Sequence, residues 1–566
     1  MKRIAYRFFL IVLLSVLAVE VFPVSAQEGS WFDEGNYDEE WLDKNFDNDV
    51  MIISTPEEFA AFGEYMTSSL WNYPNKTVRL AADMDMSAHK WITPVNEQFG
   101  SYFSGVFDGD GHKISGLTVV PAEEGEGYDY KRVVAGLFGT VRNAEIRDLT
   151  LDETCRVEVS GTYYFSFGDL DLEIGAIAAV GDESRFIRCV NRADVVVTSV
   201  IWGSETHETI CSVSGIVAHA DDMKLIGCSN EGHMTVDVHS DVVDIRVSGL
   251  VGRCGPVYGK ENRIVSCTNR GNIFVSGNTS GSVSVGGISS NYSFRVDSCE
   301  NHSVVKVNAH EGSAYVGGVS SASVGITYSF NKDSVICESD GFEVQVGGVC
   351  SYSFYNSSQT DSLYTCGNEG EIEVKSNGSM LSVGGVMGQN TDCPVVDCWN
   401  RGGLKIESSA PRSSSRWNAI YAGGLVGYCE EPVYNSYNRG NISLIDAHID
   451  EEGSSQGSVG GLVGKAYKLL WNSYSTGDVC SDVAGVKVCR LSESNVHFCY
   501  YNSDAVIEGT EVGENGIAYS TAEMQSAGSG FLEALNNNAM KGGTSCRNWG
   551  YIPGENDGYP VHIRCV

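Results

Sequence analysis

Proline, basic residues and long apolar runs are all scarce in this chain. Eleven prolines in 566 residues exclude a polyproline or collagen-like build. Lys and Arg number 38 against 73 Asp and Glu, a formal charge of −35. So acidic a chain repels nucleic acid and anionic membranes. It also argues against a binder of polyanions such as heparin or pectate, unless a cation bridges. Beyond residue 26 no stretch approaches the roughly 20 apolar residues that a membrane helix needs, so no integral span is expected once the leader is removed. Catalytic motifs are missing as well. His207-Glu208 is followed by Thr-Ile-Cys, whereas a zinc protease of the His-Glu-x-x-His type needs a second His one helical turn on. No Gly-x-Ser-x-Gly elbow stands in a strand-to-helix context. No cofactor is expected.

The leader itself reads as an export signal. Lys2, Arg3 and Arg7 precede an apolar run from Phe8 to Val19, and Val24-Ser25-Ala26 supplies small residues for cleavage before Gln27. The protein is expected to be exported, to the periplasm, the cell surface or the medium. An even count of 18 Cys in such a compartment suggests disulfides, with Cys489/Cys499 and Cys546/Cys565 as the expected pairs.

What the sequence does have is glycine, 65 residues of it, arranged with a period. A Val-Gly-Gly-Val/Leu-like phrase starts at Ile174, Val213, Val247, Val285, Val316, Val346, Val383, Ala422 and Val459, with successive starts 30 to 39 residues apart. Each phrase is followed by a second, Cys/Ser-x-Asn-x-Gly. This places Cys189/Asn191, Cys228/Asn230, Cys267/Asn269, Cys299/Asn301, Asn331, Cys366/Asn368, Cys398/Asn400 and Asn438 at equivalent positions. Short β-rich runs such as Ile273-Phe-Val275 come next. One such unit cannot bury both faces of its strands, but stacked copies can. The sequence therefore predicts an all-β, right-handed parallel β-solenoid (β-helix) of about nine repeats plus lead-in coils, with three short apolar segments per coil and short capping helices at both ends. The predicted divisions are a signal peptide over 1–26, a loosely packed acidic and aromatic lead-in over 27–53, a cap and first coils over 54–172, repeats over 173–480, and a last coil and cap over 481–566. Residues 55–67, entered through Ser54 and Pro56 with Glu57 near the third helical position, form the predicted N-terminal cap. A second helix is predicted around Phe531–Leu535.

Residues two apart on a strand share a face, so Cys and Asn of the second phrase point together. Turned inward, the asparagines form an amide ladder at a turn where Asn tolerates left-handed backbone. The six cysteines beside it are read as small buried apolar residues, replaceable by Ser, because parallel Cβ vectors in a stack do not face one another for bonding.

The Gly-Gly-Leu-Val-Gly phrases at 423–427 and 460–464 and the segment Phe103-Ser-Gly-Val-Phe-Asp-Gly-Asp-Gly-His-Lys-Ile-Ser-Gly-Leu117 resemble GLUG-motif repeat proteins. That family is common in gut Bacteroidetes and includes the non-catalytic part of IgA-specific metalloproteases. The resemblance implies an adhesin-like solenoid on or outside the cell and no defined ligand.

Two sets of site residues stand out. Asp108 and Asp110, one residue apart in a Gly-rich loop, are a calcium candidate. Tyr163, Tyr164, Tyr352, Tyr355 and Trp417, in segments read as loops around 161–171, 352–355 and 407–419, are candidates for stacking on sugar rings. The expected function is adhesion or surface interaction with a glycan or an extracellular or host protein. The alternative is a polysaccharide lyase or glycosidase on the same scaffold, which needs clustered carboxylates on one face.

Overall fold

The computed structural model describes residues 29–563, except 69–71, 96–101, 125–129, 165–168, 203–208, 242, 256–261, 292–293, 324, 354–361, 410–418, 447–455, 510, 514 and 540–546. The signal peptide and Cys546/Cys565 therefore lie outside the described residues. The fold is a parallel β-solenoid. One coil illustrates it. Lys224–Ile226 lies in sheet 1 and Ser229–Asn230 in sheet 2. Met234–Ser240 and Val243–Ser248 form two arms of sheet 3, and Val251–Cys254 lies in sheet 4. Asn262–Val265 then returns to sheet 1, paired in parallel with Lys224–Ile226. Sheets 1 and 2 each run through 14 strands and sheet 3 through 24. Sheet 4 has a four-stranded and a five-stranded part, bridged through Ser289. Fourteen strands at ~4.8 Å give a body about 60 Å long. The coil thus has five segments where the sequence predicts three. The stretch read as a loop near 161–171 belongs in part to the arms of sheet 3, Arg156–Tyr164 and Asp169–Gly175.

Alternation explains why these residues are strands. In Asp194–Trp202, Val195, Val197 and Ile201 are buried while Thr198 and Trp202 are exposed. That pattern of period two fits one buried and one wet face. Stacked Val, Ile and Leu from every coil fill one continuous core.

The two repeated phrases meet inside it. A Cβ on Gly287 would lie 2.4 Å from Asn301 Cγ and 2.2 Å from the carbonyl of Gly318. The same holds between Gly249 and Asn269, and between Gly385 and Asn400. The second glycine of the Val-Gly-Gly phrase is absent of side chain because the asparagine amide of its own coil occupies that place. Asn191, Asn230, Asn269, Asn301, Asn331, Asn368 and Asn400 each donate from Nδ2 to Oδ1 of the next asparagine, at 2.7–2.9 Å, and the row ends at Asn438. Each also donates to a carbonyl two residues on, as Asn230 does to Gly232 at 3.1 Å. These fully buried amides are satisfied along the axis.

Two details of this turn differ from the sequence prediction. The left-handed residue is not the asparagine but the one before the Cys/Ser position: Arg188, Ser266, Ser298, Tyr328, Thr365, Asp397, Asn435 and Asn472, with φ between 49° and 56°. Asn sits in a strand and contributes through its side chain. Nor are the cysteines merely apolar. The backbone N–H of Cys228 donates to Cys267 Sγ at 3.3 Å and that of Cys366 to Cys398 Sγ at 3.4 Å. Where Ser replaces Cys, Cys299 N–H donates to Ser329 Oγ and Cys398 N–H to Ser436 Oγ, both at 3.0 Å. Cys489 and Cys499 are both free thiols, which corrects the predicted pair. Cys499 occupies the stacked position itself, its Sγ donating to Leu470 O at 3.4 Å.

Both ends are covered. Helix α1 (Pro56–Ser68) lays Phe59 and Phe62 on Trp91, Phe103, Phe107 and Phe138. Its cap is Thr55, one residue later than Ser54: Glu58 N–H donates to Thr55 Oγ1, and the Glu58 carboxylate accepts from Ser54 N–H, just before the cap. The lead-in is not loose, for Trp31 and Trp41 are buried and donate to the carbonyls of Met86 and Ile52. At the other end, helix α2 (Phe531–Ala539) and the hairpin Asn548–Gly550/Val561–Ile563 fold back over sheet 2. There Phe531, Trp549 and Tyr559 cover a stack made by Tyr437, Tyr474 and Tyr500.

Candidate functional site

Sheets 3 and 4 meet at the Val-Gly-Gly phrase, and the corner there is re-entrant. The outward residue just before the phrase and the residue seven positions later face each other across it. Tyr421 and Tyr428 show this, with ring centroids 5.3 Å apart. Two features set the floor. A Cβ on Gly388 would meet Val346 N at 2.9 Å and Ser382 O at 3.0 Å, so glycine lets the two strands close on one another. Ser212 Oγ donates to Ala218 O at 2.7 Å and Ser458 Oγ to Gly464 O at 2.6 Å, pinning the corner. The result is a cleft running along the solenoid axis, with chemistry that changes from coil to coil.

Its first third is a buried ion cluster. Glu173 is fully buried, 2.8 Å from Arg132, with His219 Nδ1 at 2.6 Å and Arg253 at 2.9 Å. Arg253 also reaches Asp171 at 2.6 Å. Burial alone would raise the Glu173 pKa, but Arg132, His219 and Arg253 outweigh it and hold the carboxyl down at about 2. Asp171 and Glu173 are thus an acid pair in a groove, yet both are engaged by arginine and Glu173 stays ionised. A glycosidase needs one carboxylic acid kept protonated near neutral pH. Among the described residues, the buried carboxyl pushed upward is Asp397, to about 6, by burial against the help of Asn435 and the Arg547 N–H. It lies under the C-terminal segment, bonded to Asn435 at 2.5 Å and Arg547 N–H at 3.0 Å, away from the cleft.

The rest of the cleft is tyrosine and amide. Tyr315 and Tyr352, from adjacent coils, have centroids 5.1 Å apart. Tyr315 donates to Glu343 at 2.9 Å, and Gln345 bridges Glu343 and Gln389. Two coils on, Tyr428 stands between Tyr421 and Tyr467 and donates to Glu430 at 2.6 Å. Lys465 and Lys487 share Glu493. Tyr467 is 54% exposed and the others are part-buried. Such rings on a groove with hydrogen-bonding neighbours can stack on sugar faces and bind hydroxyls.

Of the predicted aromatic residues, Tyr352 lies in this cleft. Tyr163 packs against the core from the end of a sheet 3 arm. The Tyr164 side chain, Tyr355 and Trp417 lie outside the described residues. Asp108 is buried and held by Arg147 at 2.8 Å and Arg79 at 3.6 Å, while Asp110 takes the left-handed turn beside it and donates its N–H to Asp108 Oδ1. No group of three His, Cys, Asp or Glu residues able to hold a metal occurs among the described residues, and two guanidinium groups already engage the Asp108 carboxylate. The residues that sequence reasoning missed are Tyr315, Tyr421, Tyr428 and Tyr467. For three of them the signal was positional: Tyr315 and Tyr421 stand just before a Val-Gly-Gly phrase and Tyr428 seven residues after Tyr421, whereas Tyr467 lies off this spacing.

No protein-family model matches the chain, and no curated protein does. Among solved structures, one described as "a putative immunoglobulin A1 protease from Bacteroides ovatus" aligns over 91% of this chain and 92% of its own. The identity is 14% and the TM-score 0.26, a level of likeness that carries no argument about activity.

Proposed function

We propose that the protein is an exported, non-catalytic binding solenoid of the GLUG type, and that its re-entrant cleft holds an extended glycan chain along the axis. The observation that carries this is the placement of Tyr315 and Tyr421 in one register column of the cleft, three coils apart, and of Tyr352 and Tyr428 in the facing column, two coils apart. A coil advances ~4.8 Å, close to the length of one pyranose ring in an extended chain, so rings on the cleft wall meet rings of the ligand in step. Asp171 and Glu173, the acid pair of the cleft, are both engaged by arginine, which supports binding over hydrolysis.

The test is a glycan array probed with the purified protein, scored for both retention and released saccharide. A neutral polysaccharide retained without product, and bound about tenfold or more weakly by the Tyr421→Ala/Tyr428→Ala variant at an unchanged melting temperature, is the expected result. Released product would turn the assignment to a carbohydrate-active enzyme.

A further inference from the structure

Midway along the cleft one buried polar atom is left without a counterpart. Gln345 is the outward residue before the Val346-Gly-Gly phrase, in register with Tyr315 in the coil before it and Ser382 in the coil after it. Tyr352, seven residues on, faces it across the corner and is in register with Gln389. Gln345 is 4% exposed. Its Nε2 donates to Glu343 Oε1 at 2.6 Å and to Gln389 Oε1 at 2.8 Å. A carboxylate oxygen only accepts, so the contact with Glu343 fixes which way the Gln345 amide points. Its Oε1, turned away from these two, has no hydrogen-bond partner. In the asparagine row the same chemistry is complete: Asn230 Oδ1 accepts from Asn191 and its Nδ2 donates to Asn269. A buried acceptor without a donor is rare and destabilising.

Its surroundings define the missing partner. Tyr315 and Tyr352 stand with ring centroids 5.1 Å apart, and the Tyr315 hydroxyl is tied to Glu343 at 2.9 Å. The group that completes Gln345 has to supply an N–H or an O–H. A hydroxyl brings two lone pairs with its donor, and these need donors in turn. The N–H of an acetamido group is a donor alone. It comes with a methyl group for the tyrosine rings and a carbonyl that the Nε2 of Gln389 can meet, since Gln389 gives its oxygen to Gln345. The Glu343 carboxylate on the same amide turns away an anionic sugar.

We propose that this part of the cleft is a subsite for a neutral sugar bearing an acetamido group, whose N–H donates to Gln345 Oε1 while its methyl group lies against Tyr315 and Tyr352. The subsite rests on the reading of the cleft as a glycan groove, and it names the class of sugar taken there. Gln345 is covered, so the acetamido group enters as the part-buried Tyr352 and Gln389 side chains give way. The acceptor has already lost its water in the fold. A donor arriving from the ligand therefore gains a full hydrogen bond without a further desolvation cost at Gln345. A sugar with a bare hydrogen or a hydroxyl at that place leaves Gln345 or the hydroxyl itself incompletely paired, which is the kind of mismatch that gives a site its selectivity.

The experiment measures binding of the full chain to neutral sugars in pairs that differ only in acetamido or hydroxyl at the second carbon: chitohexaose beside cellohexaose, and N-acetylgalactosamine beside galactose on one linker. At least one acetamido member is expected to bind about tenfold or more tightly than its hydroxyl partner. Gln345→Met, close in shape but without the acceptor, abolishes that preference at a melting temperature that shows it folded; the wild-type preference stands as the test should this variant not fold. Tyr421→Ala/Tyr428→Ala weakens both members of a pair and keeps the preference. Equal binding of the paired sugars by the wild type, an unchanged preference in folded Gln345→Met, or tighter binding of an N-acetyl-lysine peptide than of any sugar each overturns the proposal. If the pairs fail to bind while another glycan is retained, the subsite falls and the cleft reading stands; if no glycan is retained, both fall.

Discussion

At the scale of single residues, the repeat is a set of backbone demands met by side chains. The stacked Cys/Ser position shows this best. Its thiol or hydroxyl accepts an N–H from the neighbouring coil, from Cys228 to Cys267 Sγ for example. A buried N–H left without a partner costs about 1–3 kcal/mol. Cys267→Ser is therefore expected to change stability by less than about 1 kcal/mol, while Cys267→Val, similar in volume and apolar, loses about 1–3 kcal/mol. Denaturant midpoints of the two variants decide it; a Val protein as stable as the Ser protein would return these residues to the role of apolar filler that the sequence suggested. The asparagine row was legible in sequence because every coil needs the same amide. The left-handed residue was not, because the requirement falls on φ, and residues as different as Arg188, Tyr328 and Asn435 meet it.

At the scale of elements, what was legible is what repeats identically. The Val-Gly-Gly and Cys-x-Asn phrases identified sheet 2 and the sheet 3–sheet 4 corner, since each is fixed by contact with the other. The arms of sheet 3 vary in length, from separate strands to the single run Ile273–Gly286, and so read as loops. The cleft was hidden because its outward positions are free to differ. The C-terminal cap allows a test of its own. His562 is pushed down to about 3, by burial against the pull of its 2.5 Å contact with Asn435 O and with Arg547 adding repulsion. A lowered histidine gives stability that is present above pH 6.5 and lost as pH falls toward 3. Asp397, in the same cap and raised to about 6, has the opposite sign. Its ionised form is disfavoured in the fold, so stability is gained as pH falls from about 6 toward its unfolded value near 4. Each slope is at most ~1.4 kcal/mol per pH unit, and between pH 6 and 4 they offset. His562→Gln is expected to leave a cap that tightens in acid, and Asp397→Asn one that loosens. Fluorescence of Trp549, which packs on the His562 ring at 4.2 Å, against pH in both variants reads the two signs; parallel curves would show that neither group controls the cap.

At the scale of the whole molecule, a solenoid is a one-dimensional array whose coils touch only their neighbours, so stability can differ along its length. Three different supports follow one another along the axis. The first coils surround an aromatic plug of Phe59, Phe62, Phe103, Phe107 and Phe138. The middle coils share the amide row from Asn191 to Asn438. Past Asn438 the row stops, for its amide meets Ser475 Oγ at 3.4 Å, and Tyr501 stands in register with Ser475 in the coil after that. The last coils rely on the tyrosine stack and the segment folded over it. Axial hydrogen bonds that are buried and continuous resist local opening, whereas a terminal coil without them has only one neighbour and a cap. Native-state hydrogen exchange is therefore expected to show residues 479–519 opening at lower free energy than residues 228–400, and a low concentration of denaturant to widen the gap. A single common opening energy along the chain would mean that the covering segment couples the end to the middle as one cooperative unit. In that case the amide row sets the geometry of the coils and leaves their relative stability to the core.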